Sequence, residues 1–394
     1  MRRAIATILL ALAAVHAPAP AGALDEAIGR ALFRRAWVPA PSSTKANAGL
    51  GPLFNARSCA ACHQGLDRAP VATDPSGAVI SDHLVLRLSD AAGRPDPTYG
   101  RQFQTSAVAG AEPEGHILLR DGRFQPALLP YGPPDAQTRT GALVAPALRG
   151  LGDLEAVPDS ALAEQAARNG RRTDGVRGRV NWVTDAQGRR RAGRFGWKAS
   201  AASLDEQVAT AFLLDLGLST PVRPSAAGDC TDAQPACLRA PHGGRPGLPD
   251  EIPDEIVMRI AAYLRTIAAP PATETGRGLG LFTATCCAAC HRPSLPGANG
   301  PVRAFTDLLL HDMGPELDGG ATEPGVASTE WRTAPLRGLL RTLANGAGLL
   351  HDGRAPDIAD AVRRHGGEAA GSRARFDALS QADRRALIAF LKQL

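Results

Sequence analysis

Two pentapeptides of the form C-x-x-C-H constrain this chain more than anything else in it: Cys59-Ala60-Ala61-Cys62-His63 and Cys287-Ala288-Ala289-Cys290-His291. Two thiols at that spacing can each take one vinyl group of a porphyrin while the adjacent imidazole reaches the iron. The pattern is the attachment signature of c-type haem. The copies also match upstream, where Gly49-Leu50-Gly51-Pro52-Leu53-Phe54 runs beside Gly278-Leu279-Gly280-Leu281-Phe282. A repeated motif with matched flanks is hard to obtain by chance. The competing readings are a disulfide pair and a zinc site, but zinc wants four ligands and each motif offers three. The chain therefore reads as built round two covalent haems. Cys59, Cys62, Cys287 and Cys290 are the attachment points, and His63 and His291 the iron ligands.

Length and composition set the frame. At 394 residues there is room for two domains plus insertions, and 42 Gly with 32 Pro imply many turns and irregular connections. The formal charge of +5 is modest, and no basic run interleaves with aromatics as a nucleic-acid surface requires. Arg2-Arg3, an apolar run from Ala4 to Val15 and Ala21-Gly22-Ala23 read as a secretory signal peptide over 1–23. No later apolar run approaches a membrane span, so export to a bacterial periplasm is expected. Of the seven cysteines, four go to haem, and Cys230 with Cys237 fits a local disulfide in an oxidising compartment. Cys286 stands where the first copy has Ser58, either as a near-isosteric replacement or as a thiol beside the haem.

Residues 24–37 read as a helix with Ile28, Leu32 and Phe33 on one side. From about 64 to 158 turn signals dominate, with short alternating segments such as Leu84-Val85-Leu86-Arg87-Leu88. This is read as an insertion into the first domain. Ser203-Leu204-Asp205-Glu206 is a capping box for a helix to about Leu216. Pro253 opens another helix, and Ser380 caps a last one carrying Leu387, Phe390, Leu391 and Leu394. Pro270-Pro271 marks a linker. The expected fold is mainly α, with two cytochrome c-like haem domains over 24–270 and 271–394 and a long, irregular, partly β insertion in the first.

Several stretches together resemble the bacterial dihaem oxidoreductases of peroxidase type, also called thiol oxidoreductases. They include Tyr99-Gly100-Arg101-Gln102, Gly193-Arg194-Phe195-Gly196-Trp197-Lys198, Glu330-Trp331-Arg332-Thr333 and Leu350-His351-Asp352-Gly353-Arg354. More remotely the chain is similar to dihaem cytochrome c peroxidases, where a tryptophan between the haems heads W-x6-L-E-E-Q. Here Trp197 is followed by Leu204-Asp205-Glu206-Gln207, and Asp215 lies near the position of the catalytic carboxylate. The resemblance also puts His365 in the register of a distal methionine on the second haem. A bis-histidine haem would have a lower potential than a His/Met one. Phe305-Thr306-Asp307 with His311 resembles a segment folding over that haem. Related peroxidases hold calcium between domains; the ligands there include backbone carbonyls, and spacing here neither supports nor excludes the ion.

The candidate site residues follow. Asp215 is the candidate acid–base group, or else a solvent-facing carboxylate at a helix end. Gln207 could hold a water or peroxide. Trp197 could relay electrons between haem edges, or be packed core. Glu114, His83 and His116 lie in the insertion and could reach the same pocket. His83 could also be a displaceable sixth ligand. His365 is either the second haem's other ligand or a surface histidine. Met258 reads as core, and Met313 as a ligand or packing residue. Arg194, Arg332 and Arg354 could pair with propionates. The resulting expectation is a periplasmic dihaem peroxidase that draws electrons from a small soluble redox protein of cytochrome c or cupredoxin type and acts on a small molecule such as peroxide. The alternatives are a two-haem carrier without catalysis and an oxidase of an organic or thiol substrate.

Overall fold

The computed structural model describes residues 21–244, 250–272 and 275–394. All but the last three residues of the expected signal peptide lie outside that range. Among the described residues no helix is long and apolar enough to cross a membrane.

The two motifs are embedded in similar surroundings. Ahead of the first lies the helix Ala21–Arg34, which packs against Asp254–Thr266. Leu32 and Phe33 from one helix and Val257, Ile260, Ala261 and Leu264 from the other are buried in a shared core. The axes come close because residue 29 is glycine. A Cβ there would collide with the Arg259 carbonyl oxygen and Tyr263 Cβ. Ahead of the second motif, Arg277–Ala284 packs against the final helix, Gln381–Lys392. Here Gly278 lies against Phe390 Cβ, with the Ala386 carbonyl oxygen 2.9 Å from where a Cβ would stand. Phe282, Phe305 and Phe390 meet with centroids 5.7–6.2 Å apart and form the centre of a second core.

Between these helical parts the chain is less helical than its sequence implies. Helix makes up 33% and strand 16%, so α and β are mixed. The strands gather in the stretch expected to be an insertion. Leu84–Ser89 is the middle strand of an antiparallel sheet, flanked by Gln102–Phe103 and Arg139–Val144. Its alternation has a direct consequence. Leu84, Leu86 and Leu88 face a third apolar core with Tyr99, Phe103 and Val144, while Val85 and Arg87 face a cavity. A strand pair, His116–Arg120 with Arg123–Ala127, lies beyond.

The helix Leu204–Leu216 forms as the sequence predicts. The Ser203 hydroxyl accepts from the Glu206 amide at 3.2 Å, which satisfies one free donor of the first turn. The other end positions a functional candidate. The last carbonyls of a helix have no partner within it, and here the segment before the first motif supplies them. The amides of Asn55 and Ala56 donate to the Asp215 carbonyl at 2.9 and 3.1 Å, and that of Gly51 to Leu216 at 2.9 Å. Gly217 ends the helix at φ +69° against the Leu53 carbonyl, where a Cβ has no room. The Asp215 side chain is thereby fixed beside Cys59 and Cys62.

Cys230 and Cys237 form the expected disulfide. Met258, expected in the core, is 51% exposed, because it falls on the outer face of its helix. Cys286 is not a simple substitute for Ser58. Ser58 is extended and its hydroxyl accepts from the Ala61 amide, whereas Cys286 is left-handed at φ +61° and caps nothing.

The close helix crossing at Gly278 gives a stability prediction. Gly278→Val should cost about 1–3 kcal/mol by overpacking, read as a lower urea midpoint with an unchanged slope.

Candidate active site

One continuous cavity of about 820 Å³ is walled by both pentapeptides. Cys59, Cys62, His63, Cys287, Cys290 and His291 all line it, and the four cysteines are free thiols. Burial pushes the Cys59 thiol up to about 12, with the nearby Asp215 carboxylate adding to the effect.

Four of the histidines around this cavity are tied in the same way. His63 Nδ1 lies 3.1 Å from the Pro146 carbonyl, His291 Nδ1 3.1 Å from that of Phe305, and His365 Nδ1 2.7 Å from that of Ala361. His83 Nδ1 lies 2.8 Å from the Cys62 carbonyl. A carbonyl only accepts, so each Nδ1 carries the proton and each Nε2 keeps its lone pair. That is how metal-binding histidines are usually oriented. Burial, opposed only by the carbonyl bond and nearby carboxylates, lowers His63 and His291 to about 4, so both rings stay neutral. The His291 and His365 rings have centroids 6.4 Å apart, a gap that admits one metal between two bonds of about 2 Å.

The arginines also fit an anionic guest. Arg68, Arg87 and Arg332 line the cavity, and none forms an ion pair with a carboxylate among the described residues. The Nε atoms of Arg68 and Arg87 are buried without a hydrogen-bond partner. Burial lowers Arg68 and Arg332 to about 10. A buried guanidinium in this state is costly unless an anion meets it. Of the three arginines expected to meet propionates, Arg332 faces the cavity. Arg194 is instead paired with Asp159, and Arg354 with Asp352. Paired thiols, bare Nε2 atoms and spare guanidinium groups together fit two haems.

Asp215, Gln207 and Trp197 also line the cavity. Asp215 accepts from Gln102 Nε2 at 2.8 Å. Burial raises its pKa, opposed by Arg87 and by the Gln102 bond. Trp197 donates through Nε1 to the Val144 carbonyl at 2.9 Å, and the Arg68 guanidinium lies 5.5 Å from the ring centroid. Met313 also lines the wall. His116 is exposed on its strand. Asp174 is paired with Arg172, and no cluster of three or more His, Cys, Asp or Glu stands ready to hold a metal ion among the described residues.

Two arrangements were not visible in the sequence. Trp331 is stacked on His351, with centroids 3.8 Å apart and planes 10° from parallel. Lys198 Nζ sits 3.5 Å from the opposite side of the indole, held by the carbonyls of Ala327, Ser328 and Glu330 at 2.6–3.0 Å. The other is His311, which lies between Asp307 (3.0 Å) and Glu368 (2.7 Å) and near Cys290 Sγ at 3.6 Å. Burial pulls the His311 pKa down, but the two carboxylates outweigh it and hold the ring protonated. The runs around Lys198, Trp331 and His351 hinted at the first and the segment Phe305-Thr306-Asp307 with His311 at the second, but the contacts to Lys198, His351 and Glu368 join residues distant in sequence.

Glu114 departs from expectation, since it is absent from the cavity wall. It is 1% exposed behind the sheet, where the Gln104 amide and Gln234 Nε2 each donate to it at 2.6 Å. Burial pushes its pKa up to about 9. The folded state then holds a proton that the unfolded chain releases near 4.5, so Glu114's contribution to stability is complete below 4.5 and lost as pH rises to about 9. Glu114→Gln should therefore match the parent in urea unfolding at low pH and gain on it steadily across that window.

The model of the family described as "Di-haem oxidoreductase, putative peroxidase" matches residues 135–394. The matched region takes in Trp197, Gln207, Asp215 and the second pentapeptide, and begins after the first. No curated protein matches the chain. Among solved structures, hydrazine synthase of Kuenenia stuttgartiensis is 13% identical over all of both chains, with a TM-score of 0.35. A MauG-like protein associated with microbial copper homeostasis is 16% identical over 62% of this chain and 87% of that one, with a TM-score of 0.31. At those values neither likeness carries an argument. The family match covers about two thirds of the sequence, and the chain belongs to the di-haem oxidoreductases.

Proposed function

We propose that the protein is an exported dihaem c-type oxidoreductase that reduces peroxide with electrons from a small soluble redox protein. The observation that carries this reading is the shared cavity. Both pentapeptides, a half-buried carboxyl and an indole all line one cavity. In this reading Cys59 and Cys62 hold one haem with His63 as ligand. Cys287 and Cys290 would hold the other, with His291 and His365 as the residues offering nitrogen to its iron. Each forms a cytochrome c-like domain, over 24–270 and 271–394.

Bound there, the haems would supply one-electron steps and an iron able to meet a small oxidant. The chain's own residues do the rest. Asp215, whose pKa burial raises, can take a proton at Oδ and return it, which is the task of a general acid–base group. Gln207, on the same helix, offers an amide to orient a water or peroxide. Trp197 is fixed by its Val144 bond, and its own carbonyl accepts from the Arg332 amide at 3.0 Å. It therefore ties the first motif's wall to the second's. Arg68, Arg87 and Arg332 meet the anionic edges of the cofactors. The strands of the 64–158 stretch exclude water from the cavity, which a plain carrier does not need.

A second reading has support from one observation. His83 presents a bare Nε2 beside His63, so both irons could be six-coordinate at rest, as in a two-haem carrier. Paramagnetic resonance separates the two. The peroxidase reading expects a high-spin signal after half-reduction that peroxide alters; two low-spin signals indifferent to peroxide would leave the carrier. Asp215→Asn should lower peroxide turnover about 10²–10⁴-fold with both haems retained. His365→Ala should change the second haem's spectrum and leave the first unaltered.

A further inference from the structure

We propose that Glu114 is the proton store for Asp215, joined to it through buried water held by the side-chain amides of Gln102 and Gln104. The inference rests on the reading of Asp215 as the acid–base group. It starts from two orphaned atoms. Gln102, in the strand Gln102–Phe103, and Gln104, just after it, are both buried. Both donate through Nε2 to the Leu214 carbonyl at 2.8 Å. Their Oε1 atoms are buried and have no partner.

The amides cannot be turned round to cure this. A flip would set each Oε1 against the Leu214 carbonyl, acceptor against acceptor. Gln102 Oε1 would also face Asn55 Oδ1, to which Nε2 now donates at 2.6 Å. An unmet buried acceptor costs about 1–3 kcal/mol, and two side by side call for a donor. Buried water is the usual answer where several polar groups converge.

The ends of the pair supply the polar partners. At one end Gln102 donates to Asp215. At the other, Gln104 and Glu114 are locked together: the Gln104 amide donates to Glu114 Oε2 at 2.6 Å, and the Glu114 amide to the Gln104 carbonyl at 2.9 Å. No cation offsets Glu114. The groups that face it are Gln104, Gln234, the phenols of Tyr99 and Tyr131, and the carboxylates of Asp96 and Asp229. Its neutral, protonated form is the one this pocket accepts. Asp215 faces Arg87, Gln102 and the thiols of Cys59 and Cys62. A core carboxyl with no ion-pair partner does nothing for packing, but it can hold a proton ready.

The transfer moves one proton and no electrons. When Asp215 has given up its proton at the cavity, its carboxylate takes one from the bridging water as the Glu114 O–H gives one to that water. Glu114 is left as a carboxylate and regains its proton from solvent. The loop carrying Gln234 is closed by the Cys230–Cys237 disulfide, which keeps the donor to Glu114 Oε1 in place.

The test is infrared spectroscopy of the oxidised, resting, full-length dihaem protein at mildly acid pH, with no peroxide. Two buried carboxyl C=O bands are expected, one lost in Glu114→Gln and the other in Asp215→Asn. On transfer to D2O the Asp215 band should exchange on the order of 10²-fold more slowly in Glu114→Gln than in the parent. Gln104→Met, which keeps Glu114 but removes an orphaned oxygen, should slow it too. Haem spectra check that each variant is folded. Absence of either band in the parent, or an exchange rate that neither variant alters, would overturn the proposal. Because no turnover is involved, a failure of the peroxidase reading shows separately, as resonance signals indifferent to peroxide.

Discussion

The tethering of buried imidazoles to backbone carbonyls is the constraint on which the rest of this structure depends. A neutral histidine has one donor and one acceptor nitrogen, and the carbonyl decides which is which. For His63 the carbonyl is that of Pro146, beyond the end of the strand Arg139–Val144. The sheet that carries Pro146 is therefore part of the first motif's equipment. For His291 the carbonyl belongs to Phe305, whose ring also fills the core between Phe282 and Phe390. Burial keeps both rings neutral, outweighing the bonds to the carbonyls and, at His291, the nearby Asp307 carboxylate. If either tether were lost, the ring could rotate and the bare nitrogen would no longer be aimed.

The same logic explains why the long stretch after the first motif is walled rather than loose. Alternation along Leu84–Ser89 gives one face to an apolar core and the other to the cavity. The strand is thus a partition between two environments. Arg68 donates to the Leu350 carbonyl at 2.7 Å, and Asp67 accepts from both Arg149 and Arg341 at 2.9 Å. The segment following the first motif is in this way fastened to the chain around the second.

What was legible in the sequence was local. The pentapeptides, the caps at Ser203 and Ser380, the strand at Leu84 and the disulfide are all written within a few residues, and the structure has each of them. What was hidden depends on partners far apart in the chain. Arg194, Arg332 and Arg354 look alike as sequence, but only Arg332 lacks a carboxylate in the fold. Glu114 has the chemistry of a pocket residue but is absent from the cavity wall, because the Gln104 amide and Gln234 hold it in the core. The sandwich of Lys198, Trp331 and His351 brings together three segments with no periodic signal to announce them. The helical share was overestimated because long turn-rich stretches conceal short strands, whose partners come from elsewhere in the chain.

Charge placement carries the argument one step further. Formal charge says little at +5, but the arginines divide by position. Those on the flanks are paired with carboxylates, as Arg194, Arg265 and Arg341 are. Of those facing the cavity, Arg149 is paired with Asp67, whereas Arg68, Arg87 and Arg332 form no ion pair with a carboxylate among the described residues. Desolvating a guanidinium without an ion-pair partner opposes folding, so a chain that keeps Arg332 so buried, with Arg68 and Arg87 near carboxylates but bonded to none, fits a guest that brings negative charge. Porphyrin carboxylates are such a guest, whereas an apolar ligand would leave the cost in place. The acidic side of the ledger points the same way. Burial raises the pKa of both Asp215, against the pull of Arg87, and Glu114, which has no cation among its neighbours, so both favour holding protons.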